Sequence, residues 1–220
     1  ERQARALCGS AVTVLYNLGR LAEERMDHPA ADRIYRGILA ERPNYTDCFS
    51  RLGKIAELRG NAKHASAWYV EALKVNPKHA DAWTSLARLH IAGHDLGSAQ
   101  KRLEKVLKDN PSDGLSNILL GNIYFNSARW VPMDKDHPDR QAMSAKYTGY
   151  LSKALEFYKK VLQKETGNIY AANGIAMVLA QSGRLSQAKQ IFAQLREAAS
   201  SQLGHVWVNL AHIHLAQREF

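Results

Sequence analysis

Two consecutive stretches decide how this chain folds: NYTDCFSRLGKIAELRGNAKHASAWYVEALKVNP from Asn44 to Pro77, and KHADAWTSLARLHIAGHDLGSAQKRLEKVLKDNP from Lys78 to Pro111. Laid one under the other they agree at an interval of 34 residues, and the agreement runs outward in both directions. Pro43, Pro77 and Pro111 keep the interval, as do Ala31, Ala65 and Ala99, and the bulky Tyr35, Tyr69 and Leu103. Leu18, Leu52, Leu86 and Leu120 keep it too, followed by the small residues Gly19, Gly53, Ala87 and Gly121. A large residue (Leu15, Phe49, Trp83) stands three places before each of the first three leucines, and the Trp83 ring is expected to be buried between units. Several independent columns that share one period make up an internal repeat.

A repeat of this length, with small and large residues in this order, is the tetratricopeptide (TPR) signature. Each unit is read as two amphipathic helices packed antiparallel. Small residues such as Gly53 and Ala65 let the two axes approach, and Phe49, Leu52 and Tyr69 fill the space toward the next unit. Asn76-Pro77 and Asn110-Pro111 end the second helix, because the residue before proline is pushed out of the helical region. One hairpin cannot bury its apolar stripe, so stacking supplies the core. The expected fold is therefore all-α: a right-handed superhelical TPR solenoid of about six helix pairs, with an insertion in the fourth.

Over residues 1–220 the period predicts repeats at 11–44, 45–78, 79–112, 113–168 and 169–202, and a truncated sixth at 203–220. In the fourth repeat Leu120, Gly121 and Tyr124 are in place, but the next small anchor is Ala154, about 21 residues late. That predicts an insertion over about 127–150, with the second helix resuming at Leu151. The chain opens on Glu1 and breaks off within a repeat, so the natural protein is expected to continue at both ends.

Composition agrees and removes other classes. The hydrophobic fraction is 45% and the charged fraction 23%, which excludes disordered and collagen-like chains. Apolar runs such as Ile175–Ala180 are far short of the ~18 residues a bilayer span needs, and no secretory leader is visible. Cys8 and Cys48 lie far apart and read as free thiols. The net charge of +9 favours acidic partners: acidic peptide segments, nucleic acid or an acidic assembly.

No nucleophile motif or phosphate loop is present, so no catalytic residue, cofactor or metal is expected. His90 and His94 have the i,i+4 spacing of a zinc pair, but Ile91 replaces the zincin glutamate and no third ligand follows. His90 holds the repeat position of Tyr124 and is read as packing; His212 and His214 point to different faces.

Two places after the anchor leucines stand Arg20, Lys54 and Arg88, then Asn122. These positions face the inner wall of a TPR array, where a ladder of cations on rigid helices can hold an extended acidic segment. Asn173 and Asn209, near the equivalent positions later on, could hold a peptide backbone through their amides. The alternative is plain surface decoration, with Glu23 and Glu24 beside Arg20 and Glu57 beside Lys54 on the same helices. The lysine–asparagine clamp of chaperone-binding TPRs is absent, since Tyr16 and Arg20 fill those places. In the insertion, Trp130, Met133, Pro138, Tyr147 and Tyr150 either form a projecting binding loop or fold back on the array. The basic residues are spread over many helices, which argues against a direct nucleic-acid reader.

Five stretches go beyond a generic repeat: YNLGRL (Tyr16–Leu21), NYTDCFSRLG (Asn44–Gly53), HADAW (His79–Trp83), NIYAANGIAMVLA (Asn168–Ala180) and VWVNLAHIHLAQ (Val206–Gln217). In order and across nearly the whole chain they resemble the large TPR scaffold subunits of the RNA polymerase II-associated factor (Paf) complex. The resemblance implies an internal block of a nuclear, non-enzymatic scaffold. Its implied partners are the other Paf subunits and, through them, elongating polymerase and co-transcriptional histone modification; it implies no membrane contact.

Overall fold

The structure, a computed structural model, describes residues 2–132, 139–199 and 204–217; side chains are described from residue 11 onward, except at 199 and 205. Among the described residues the chain is helical throughout, with no strand. The helices are α1 (Arg2–Glu24), α2 (His28–Glu41), α3 (Thr46–Leu58), α4 (Ala62–Val75), α5 (Ala80–Ala92) and α6 (Leu96–Asp109). Then follow α7 (Gly114–Arg129), α8 (Arg140–Lys164), α9 (Ile169–Gln181), α10 (Leu185–Ala199) and α11 (His205–Gln217).

The punctuation between helices is chemical. Asp27, Asn61, Asp113 and Asn168 each accept, on a side-chain oxygen, the amide three residues on, and so start α2, α4, α7 and α9. His79 starts α5 in the same way through Nδ1. Within pairs the tight turn needs one left-handed residue, supplied by Met26, Gly60, His94 and Gly183. His94 is thus a turn residue, while His90 Nδ1 lies 3.1 Å from the Asp95 carboxylate, so the HIAGH spacing serves the turn. Among the described residues no cluster of three or more His, Cys, Asp or Glu could hold a metal ion. Nor is any described helix long and apolar enough to cross a membrane.

Two compact units divide the chain, residues 1–102 and 103–220. In the first, Tyr35 and Ile38 of α2 pack on Cys48, Leu52 and Ile55 of α3. Tyr69 and Ala72 of α4 pack likewise on Ala82 and Leu86 of α5. Cys48 is a free, fully buried thiol, which burial and the Asp47 carboxylate push up to about 12. In the second unit, Tyr158 and Val161 of α8 pack with Ala171 and Val178 of α9. Phe192 and Leu195 of α10 meet Val206, Leu210 and Ile213 of α11.

The repeat columns acquire a physical meaning. A Cβ added at Gly53 would lie 2.5 Å from the Tyr69 ring; at Gly19 it would lie 2.6 Å from Tyr35, and at Gly121 2.5 Å from Tyr158. The glycine is a seat for the aromatic ring of its paired helix. Leu18 is 49% exposed although Leu52 and Leu86 at the same register are 1% exposed, because no described helix covers that side of α1.

Two expectations change. Trp83 is only half-buried: its indole donates to the Pro77 carbonyl at 2.9 Å, and Arg102 stacks on its ring at 5.6 Å. The insertion is largely helix: α7 runs on to Arg129 and α8 begins at Arg140, eleven residues before Leu151. Met143, Tyr147, Tyr150, Leu151 and Ala154 follow one another at helical spacing and carry the same face back beyond the period's starting point. Met133 and Pro138 lie outside the described residues.

Candidate functional site

The first helices of the pairs carry the residues singled out for binding. Cys48, Ala82, Ser116, Ala171 and Val206 are all wholly buried at one register of α3, α5, α7, α9 and α11. Six residues beyond each stand Lys54, Arg88, Asn122, Met177 and His212. The ladder column thus continues through a methionine and a histidine. Asn173 and Asn209 stand outside it, four residues before Met177 and three before His212 on their own helices.

In the first unit the ladder is not a row of equal charges. Tyr35 donates its hydroxyl proton to Glu23, and Arg51 of the next repeat lies 3.5 Å from the same carboxylate. One period later Tyr69 donates to Glu57 at 2.8 Å, and Arg88 lies 3.5 Å from it. Burial, with the adjoining carboxylate, drives both phenols above their ordinary range, so they remain protonated donors. Arg88 therefore ties one repeat to the next, and Glu57 serves Tyr69 and Arg88 rather than Lys54. Arg20 and Lys54 have no ion-pair partner among the described residues. In the second unit Asn122 takes the glutamate's role, accepting from Tyr158 at 2.7 Å.

A hollow of about 280 Å³ opens on the first-helix face of this unit, lined by Tyr16, Arg51 and Lys54 with Asp47 and Asp81 among others. Arg51 donates to the Tyr16 hydroxyl at 3.2 Å. Two carboxylates against two cations leave it nearly balanced in charge. Neither Arg20 nor Arg88 lines it.

The second unit has a different cavity, of about 390 Å³, built on α7, α9, α10 and α11. Phe125, Met177, Phe192 and Ile213 give it apolar walls; Arg129, Gln181, Asn209 and His212 give it a polar edge. Of the predicted asparagines, Asn209 lines it. Asn173 is 8% exposed, donates to the Met177 sulfur at 3.4 Å, and leaves Oδ1 without a partner. Of the predicted insertion residues, Tyr147 and Tyr150 belong to α8 and are half-buried, not in a loop. Tyr147 donates to the Gln181 carbonyl at 3.1 Å, at the cavity's edge, and the Tyr150 ring lies 6.2 Å from Tyr124. Trp130, next to Arg129, is 83% exposed and does not fold back. Sequence reasoning missed Arg129, Met177 and His212 as binding candidates; the period together with the insertion leads from Asn122 to Met177, and one residue more than a period leads on to His212.

Helical hairpins that repeat along the chain define a repeat protein of the tetratricopeptide class. The tetratricopeptide repeat family model matches residues 59–123 and 149–207, more than half of the chain. The chain belongs to this family. Within it, the chain is 37% identical over 95% of its length to an Arabidopsis thaliana protein named "Protein CTR9 homolog". It is 30% identical over its whole length to the Caenorhabditis elegans "RNA polymerase-associated protein CTR9". The chain spans about one fifth of these relatives, 19% of each. These relatives agree with the family resemblance read from the sequence. Among solved structures, the chain superposes on one described under functional characterisation of Pseudomonas aeruginosa pilF, with a TM-score of 0.75 and 15% identity. That match covers 96% of this chain and 86% of the other. A Thermus thermophilus TPR protein superposes with a TM-score of 0.65 and 18% identity over 93% of this chain and 99% of that one. These likenesses speak to the fold alone.

Proposed function

We propose that this array is a non-enzymatic scaffold segment that holds partner subunits of the Paf transcription-elongation complex, which associates with RNA polymerase II in the nucleus. Through those partners it supports co-transcriptional histone modification. The observation that carries the reading is the near-full-length identity to relatives whose names are CTR9 and, in the nematode, RNA polymerase-associated protein. The physical build supports it: rigid helices present fixed side chains, so a flexible partner segment gains contacts at little ordering cost on the receptor side. The residues proposed to make those contacts are Arg20 and Lys54 in the first unit, and Arg129, Asn209, His212 and the neighbouring Trp130 in the second. Arg88, Asn122 and Asn173 are assigned to holding the repeats themselves.

The test is retention of the other complex subunits on the immobilised chain. The reading expects at least one subunit to be held after washing; retention of none contradicts it.

A further inference from the structure

The two hollows differ in a way that assigns a ligand to one of them. In the first unit Asp47 and Asp81 offset Arg51 and Lys54. The cavity of the second unit has Arg129 and His212 at its edge and no carboxylate in its lining. Arg129 pairs with no acid among the described residues. It stands in the last turn of α7, where the negative end of the helix dipole favours a cation whether or not a ligand is bound.

The walls set the rest of the ligand. Phe125, Met177, Phe192 and Ile213 enclose a volume of about 390 Å³, at the low end of the range in which pockets hold ligands and suited to one large apolar side chain. Met177 contributes an unbranched thioether that adapts to the shape of what enters. Gln181 and Asn209 bring amides that can donate to and accept from an extended backbone. Trp130 stands exposed one residue beyond Arg129.

We propose that this cavity binds an extended acidic segment of another protein, which inserts one aromatic or aliphatic side chain between α7, α9 and α11 while its flanking carboxylates face Arg129 and His212. The proposal deepens the scaffold reading, on which it rests, by naming the chemistry of one partner contact. A nucleic-acid strand suits the cavity less well, because Arg129 and His212 are the only basic residues in its lining and do not form the positively charged groove that tracks a phosphate backbone.

The experiment is fluorescence anisotropy at about 0.1 M salt, with the 220-residue chain and labelled probes. The first probe is a short peptide with one Phe among Asp and Glu; the second has Ala for the Phe; the third has Lys for every acid. A single-stranded RNA carrying the same label is the fourth. The first peptide is expected to bind about tenfold tighter than either altered peptide. Arg129→Glu, at an exposed site, is expected to cost about the same factor, and Ala180→Phe, which fills a position in the cavity's lining, to block it, with helical content and melting temperature checked for both. Equal binding of the Phe and Ala peptides overturns the proposal, as does indifference to Arg129→Glu or tighter binding of the RNA. Should the peptides fail while partner subunits are still retained, only this inference falls. Loss of subunit retention with peptide binding intact would instead remove the scaffold reading.

Discussion

A glycine and a tyrosine are the smallest unit in which this fold can be understood. Gly19 lies under Tyr35, Gly53 under Tyr69 and Gly121 under Tyr158, each ring too close for a methyl group. Each ring is also pinned at its far end, since the hydroxyls bond Glu23, Glu57 and Asn122. A pinned ring cannot swing aside, so overpacking at the seat should outweigh the higher helix propensity of alanine. Gly53→Ala is expected to cost up to about 2 kcal/mol net, from an overpacking penalty of about 1–3 less about 1 for propensity. The third repeat has Ala87 and Leu103 at these two register positions, which points to a rescue. In urea unfolding, Gly53→Ala and Tyr69→Leu together should cost less than the sum of the two single changes. Strict additivity would mean that the ring does not sit on the glycine. The small and large columns were legible in the 34-residue period. What the period hid was the hydroxyl's partner, because Glu23 and Glu57 looked like neighbours of Arg20 and Lys54 on one helix. The recurrence of Glu twelve residues before Tyr, at 23 and 35 and again at 57 and 69, is the trace it left.

At the scale of the element, helix starts were written in side chains that cap, and their structures follow. The second helix of the interrupted repeat was not so plain. Its earlier start at Arg140 lies past Pro138, and Asp139 makes no side-chain cap, so no local signal marks the beginning. Tertiary contact supplies what the cap does not: Tyr147 reaches the end of α9, and Tyr150 packs near Tyr124 of α7. The added turns bury little beyond these rings, in contrast to Leu151, Ala154 and Tyr158 further on. Native-state hydrogen exchange should therefore find amides of residues 143–150 opening well before those of 154–161. Tyr147→Ala should widen that difference while leaving the rest of α8 unchanged. Uniform protection along α8 would contradict this division. Trp83 teaches the same lesson from the other side. As a repeat anchor it reads as core, yet its indole N–H seeks the Pro77 carbonyl, and that keeps one edge of the ring outside.

For the whole molecule, the period decided the architecture because a repeat must satisfy the same packing at every step, and a single chain then carries its own alignment. The candidate site was only partly legible. A column of basic residues says where side chains could stand, not which of them the fold consumes. Arg88 is tied to Glu57, Asn122 to Tyr158 and Asn173 to Met177, while Lys54, Asn209 and His212 face open hollows. The division of labour follows from who is paired, and pairing depends on neighbours in the adjoining repeat, on the other helix of the pair or, for Asn173, one turn along the same helix. The scaffold role proposed above requires partner proteins to be held on the first-helix faces. The most direct measurement places a photo-crosslinking residue at Lys54 and at His212 in the whole subunit, and at Lys105 and Lys189 on second helices as controls, within the assembled complex. The first pair is expected to form crosslinks to partner subunits in preference to the second. Crosslinks confined to Lys105 and Lys189 would contradict it.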